Sequence, residues 1–176
     1  HHQFSADLAD FFSAEPLILR AVSCQKNEPQ GREFFREMTR SRGGAELIEN
    51  QALELAIDSS GGIPRQFLTV ISNAARLAIA QDAKEISRDL VVRGRERAME
   101  RFFYALRDED YQSLLGFSED TSPGPRLERL LRLAAVIEYG KVASLPRLGI
   151  NPLCLPLLKR YEAAHAAEGV AAGEAR

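Results

Sequence analysis

With 176 residues, 45% of them hydrophobic and 27% charged, the chain holds apolar material for one medium core or two small ones. A formal net charge of −2 excludes a surface that grips nucleic acid all over, while leaving room for a local basic patch. No apolar run approaches the roughly 18 residues that cross a bilayer and no signal-peptide pattern opens the chain, so no membrane partner and a cytoplasmic location are expected.

His1-His2 reads as a tag remnant or a cut through a longer protein and carries no chemistry. Residues 1–27 read as an extended lead-in. Within it, Ser5 to Phe12 suits a short helix, Leu17-Ile18-Leu19 with Val22 suits a strand or connector, and the polar stretch Gln25 to Gln30 suits a loop. Phe34, Phe35 and Met38 then recur at helical spacing from Arg32 to Arg42, until Gly43-Gly44 stops the pattern. Ile48, Ala52, Leu55 and Ala56 set the next helix, with Asn50 either capping or interrupting it, and Gly61-Gly62 ends it.

Ser59 to Arg65, Ser-Ser-Gly-Gly-Ile-Pro-Arg, is the most informative stretch. Gly61 and Gly62 can take the left-handed conformation that ends a helix, and Pro64 suits the first position of the next. Arg65 then falls in a first helical turn, where unpaired N–H groups and the macrodipole already concentrate positive charge. A cation there costs from a few tenths to roughly 1 kcal/mol unless an anion offsets it, and phosphate is the usual guest. The plain alternative is a corner between two helices with a solvated arginine.

The helix from Pro64 carries Phe67, Ile71, Ala74, Ala75 and Ala78 on one stripe, widened by Leu68 and Leu77, and so belongs in a bundle. Ser87 and Asp89 open another through Val91, Ala98, Met99, Phe102 and Leu106, with Gly94 predicting a kink or a close helix crossing. Arg88, Arg93, Arg95, Arg97 and Arg101 on this helix are interleaved with Glu96 and Glu100. An ordinary solvated face with i,i+4 pairing is expected there rather than a track for a nucleic-acid backbone.

Asp108-Glu109-Asp110 marks a solvated boundary, Tyr111 to Phe117 a short helical link, and Thr121 to Pro125 a loop. Arg126 to Val136 is read as an amphipathic helix with Arg126, Arg129 and Arg132 outward, a candidate nucleic-acid or partner face whose simpler reading is structural. Two short strands are expected about a turn at Gly140-Lys141, and a last helix from Asn151-Pro152 through Leu155, Leu158 and Tyr161. Pro146 and Pro156 sit awkwardly in that reading. The tail from Ala163 is expected to continue the helix and fray.

Cys24 and Cys154 show no disulfide or zinc spacing and are expected as buried small apolar residues. His165 lies on the fraying helix, with no credible metal site or catalytic base around it, and Ser59 and Ser60 lack a histidine to activate them.

The run Asn50 to Asp89, centred on Ser-Gly-Gly-Ile-Pro-Arg-Gln-Phe and followed by Ala-Ala-Arg-Leu-Ala, resembles the helical lid of AAA+ ATPases, particularly bacterial P-loop ATPases with a short winged-helix-like region after the lid. Ala135-Val136-Ile137-Glu138-Tyr139 and Ile150-Asn151-Pro152-Leu153 are similar to that family's leucine-leucine-glutamate-tyrosine and histidine-proline-leucine ending, with Asn151 where the family has histidine. The resemblance covers roughly residues 15 to 162. It implies a mostly α fold: a helical-bundle lid over 28–107, a winged-helix-like module with a short β-hairpin over 108–166, and a frayed tail over 167–176.

It also implies that Arg65 is the sensor 2 arginine, with Gly62 and Pro64 shaping a nucleotide-binding corner. ATP or ADP would be the cofactor in a full-length parent, with none expected for this chain alone, and a P-loop core in that parent and a protein partner would be the contacts. The core is the departure from the family pattern. Gly140-Lys141 lacks the glycine spacing and hydroxyl of a P-loop, and no apolar strand leads into an acidic pair. The chain by itself is not expected to hydrolyse ATP. The rival is a stand-alone helical adaptor or winged-helix DNA-binding regulator that works without nucleotide, DNA being the weaker of the partner expectations.

Overall fold

Apolar residues recurring at three and four produce a mostly helical molecule. The computed structural model describes residues 21–24, 29–118, 124–142 and 145–174, with the backbone alone for 140–142, 145–146 and 167–174. The helices among these are α1 (Pro29–Arg40), α2 (Asn50–Ser59), α3 (Pro64–Ala80), α4 (Arg88–Ala105), α5 (Asp108–Leu115), α6 (Pro125–Arg132) and α7 (Leu155–Glu174); between α6 and α7 stand β1 (Val136–Val142) and β2 (Leu145–Ile150). The helix expected at Ser5 to Phe12, the run Leu17 to Leu19 and residues 25–28 lie outside the described residues.

α3 and α4 run back along one another, and Gly94 is the reason they come so close. A Cβ on Gly94 would stand 2.8 Å from both the Val70 oxygen and the Ala74 nitrogen. The expected crossing is therefore present, reinforced by Asn73 Nδ2 donating to the Gly94 carbonyl at 3.2 Å. α2 lies against both helices and buries Ala52, Ala56 and Ile57 with Phe67, Val70, Val91 and Phe102. α1 adds Phe35, whose ring centroid is 5.0 Å from that of Phe67. Arg32 and Arg36 on α1 both pair with Glu54 on α2. Ile48, expected inside α2, instead bridges Ile86 in parallel just before the helix, and Glu49 accepts from the first amide of α4, that of Arg88, at 3.0 Å.

The expected division at residues 107/108 falls between α4 and α5. The apolar core runs through it from Phe102 and Leu106 to Tyr111, Leu127, Val136 and Leu153. α6 is shorter than predicted: it ends at Arg132, and Ala134 turns the chain in the left-handed region (φ 55°) before β1. The hairpin also departs from expectation. Gly140-Lys141 lies within β1, where the register shifts between Glu138 and Lys141, and the connection falls at residues 143–144, outside the described residues. Pro146 is tolerated because a two-stranded ladder has two edges, and Pro156 because it falls in the first turn of α7, where its missing N–H has no intrahelical acceptor to lose. No helix among the described residues is long and apolar enough to cross a membrane.

Candidate functional site

The corner between α2 and α3 is built from small residues in unusual backbone conformations. Gly61 (φ 56°) and Gly62 (φ 76°) are left-handed. A side chain on Gly62 would collide with the Val22 carbonyl, and one on Gly61 with Ile137 and Pro152. Val22 N donates to the Gly62 carbonyl at 2.8 Å, and the Gly62 amide donates to Ser60 Oγ at 3.0 Å. Ser60 Oγ in turn donates to the Ile57 carbonyl at 2.6 Å. Gly62 is buried and its amide is engaged, so its part is to shape the corner. Pro64, at the first position of α3, fixes the helix start and offers no donor.

Arg65 alone of these three extends into solvent. Helix geometry leaves the amides of Arg65 and Gln66 without intrahelical acceptors, because the first bond of α3 runs from Phe67 N to the Ile63 oxygen, at 3.0 Å. The first turn contains no acidic residue. Among the described residues the Arg65 guanidinium makes no ion pair, so the positive end of the α3 dipole and a fixed cation coincide.

Directly beneath Arg65 lies an arrangement with no local sequence signal. Gln66 and Asn151, both buried, face one another in a reciprocal amide pair: Gln66 Nε2 donates to Asn151 Oδ1 at 2.9 Å and Asn151 Nδ2 donates to Gln66 Oε1 at 3.0 Å. Gln66 Nε2 also donates to the Ser59 carbonyl at 2.9 Å. Asn151 Nδ2 donates to the Ala134 carbonyl at 2.7 Å, and Asn151 Oδ1 accepts from Leu153 N at 2.9 Å. The pair joins the corner, the left-handed turn at Ala134 and the entry to α7. Each member is a polar residue at a core position, but only the tertiary structure brings them together.

No family model matches the chain, and neither curated proteins nor solved structures give a match.

The three arginines of α6 are used within the chain. Arg129 Nε donates to both oxygens of Asp110, at 3.1 and 3.2 Å, and its Nη2 donates to the Ala105 carbonyl at 3.1 Å. Arg126 pairs with Glu109 at 2.6 Å and Arg132 with Glu128 at 3.7 Å. The solvated boundary expected at Asp108 to Asp110 needs correction, since Asp110 is fully buried and its carboxylate also accepts from Arg107 N at 3.0 Å, closing the first turn of α5. Burial would raise the Asp110 carboxyl, but the hydrogen bonds from Arg129 and the Arg107 amide, with the charges of Arg129 and Arg126, hold it below the usual carboxylate range.

Cys154 is buried as expected, and that burial pushes its thiol up to about 12, leaving it unreactive at neutral pH. Cys24 is half-buried, contrary to expectation. His165 is exposed and stacks on Tyr161 with ring centroids 4.0 Å apart. Among the described residues no cluster of His, Cys, Asp and Glu converges as metal ligands.

Proposed function

We propose that this chain is the lid and winged-helix-like portion of an AAA+ type ATPase, in which Arg65 contacts nucleotide phosphate and reports its presence to a partner. The single observation that carries the reading is an exposed, unpaired guanidinium among the described residues, set on the N-terminal turn of α3 by a corner that Val22, Ile137 and Pro152 hold in place. An anion arriving there would meet a side-chain charge beside two amides that have no intrahelical acceptor. Phosphate bears the charge density to offset both.

The Gln66–Asn151 pair supports the relay, since it ties the same helical turn to the hairpin and α7 through buried hydrogen bonds. A shift of the first turn of α3 on phosphate contact would carry the C-terminal module with it as a body. The nucleotide itself would be held by a P-loop core outside this sequence, and hydrolysis belongs to that core. A DNA-reading role for α6 has less support, because Arg126 and Arg129 are committed to Glu109 and Asp110.

The test is ATP turnover by the full-length protein with Arg65 and with Arg65→Ala. A fall of at least several-fold is expected, toward the roughly 100- to 1,000-fold that loss of one preorganised donor to developing charge costs. Unchanged turnover, or a full-length protein without ATPase activity, overturns the reading.

A further inference from the structure

The exposed side of α4 carries a second cationic feature, separate from Arg65. Arg93, Arg97 and Arg101 follow one another at i,i+4 along the helix and all three are exposed. Glu96 and Glu100 stand three residues beyond Arg93 and Arg97, so ion pairs were expected. None forms among the described residues: neither Arg93 nor Arg97 pairs with a carboxylate, and Arg101 lies over the Phe102 ring at 4.6 Å and donates to the Leu133 carbonyl at 3.3 Å, also without a carboxylate partner. Like charges at i,i+4 repel, and Asp89, Glu96 and Glu100 on the same helix offset part of that cost, so an anionic partner along the row would relieve what remains.

The same stripe ends in an aromatic. Tyr104, three residues past Arg101, is 81% exposed, and Phe103, 60% exposed, packs edge-on against it with centroids 5.3 Å apart. Two adjacent aromatic rings in water at the end of a helix are unfavourable without a partner that covers them.

We propose that this face of α4 binds single-stranded nucleic acid, with Arg93, Arg97 and Arg101 against successive phosphates and Tyr104 stacked on a base. Four helical residues advance about 6 Å, so the three arginines are spaced at regular intervals along one exposed side that flexible single-strand backbone can follow. An acidic peptide would match the charges but would leave Tyr104 uncovered, and a duplex keeps its bases stacked on one another. Unstacked bases satisfy the aromatic ring and the phosphates satisfy the row together.

The test is fluorescence anisotropy of a labelled oligothymidylate of about 20 nucleotides titrated with the full chain. Three phosphate contacts predict a logarithmic salt slope near −2, so binding weakens roughly twentyfold between about 50 and about 200 mM salt. Arg93→Gln with Arg97→Gln should reduce the slope by more than half, and Tyr104→Ala should weaken binding about tenfold with the slope retained. Among the described residues Arg93 and Arg97 make no hydrogen bond or ion pair, and circular dichroism of that variant checks its fold. Arg65→Ala should leave oligonucleotide binding unchanged, which separates this surface from the phosphate role proposed above. Absence of binding at low salt, equal binding by the double arginine variant, or tighter binding of polyglutamate or of a duplex than of the single strand overturns the proposal.

Discussion

At the scale of single residues, one buried contact joins the start of α3 to the segment between β2 and α7. Asn151 has its side-chain amide fully engaged, with Gln66 on one side and the Ala134 carbonyl and Leu153 amide on the other. Replacing it with alanine would leave several of these groups buried without partners, each costing about 1–3 kcal/mol. Asn151→Ala should therefore lower unfolding free energy by about 3 kcal/mol in urea denaturation. Gln66→Leu with Asn151→Leu should cost less than the sum of the two single changes, because the second substitution removes groups that the first had left unsatisfied. Additive costs would show that the pair is not coupled. Gln66 follows Arg65 and Asn151 precedes Pro152 in the two stretches that resemble the AAA+ pattern, yet nothing local in either stretch tells that they meet.

At the scale of elements, the α3–α4 crossing depends on the absence of one side chain. In an isolated helix Ala at position 94 would be favoured over Gly by about 1 kcal/mol. Here a Cβ would stand 2.8 Å from backbone atoms of α3 that cannot rotate away, so the helices would have to separate. Gly94→Ala should destabilise by about 1–3 kcal/mol and lower the melting temperature accordingly. A more stable Gly94→Ala protein would mean that the helices are not held in this contact. Periodicity located this helix pair well, because an apolar stripe at spacings of three and four is a local property of the chain. It located the hairpin less well: the strand continues through Gly140 and Lys141, since pairing with Leu145 and Pro146 on β2 outweighs the turn preference of a single glycine.

At the scale of the whole molecule, Asp110 ties α5 and α6 to the end of α4 through Arg129, Arg107 and Arg126. Its carboxyl lies below the ordinary value in the folded protein, so its contribution is fully present above the unfolded carboxylate range, near about pH 4, and is lost as pH falls through the folded value. Asp110→Asn should cost about 2 kcal/mol at pH 7 and flatten the decline of stability below about pH 4. An unaltered acid profile in that variant would place the acid-sensitive contact elsewhere, such as the pairing of Glu54 with Arg32 and Arg36.

The division between what the chain announces and what folding decides follows the reach of each interaction. Helix positions, the left-handed glycines that end α2 and the placement of Arg65 on a first helical turn follow from residues that are neighbours in sequence, while Gly94 announces a close approach without naming the Val70 and Ala74 backbone it meets. The burial of Asp110, the engagement of Arg126 and Arg129, the Gln66–Asn151 pair and the unpaired row on α4 depend on which distant groups come within about 3 Å, a hydrogen-bond distance. Side-chain charge can be read in one dimension, but whether a counter-charge reaches it is settled only when the helices pack.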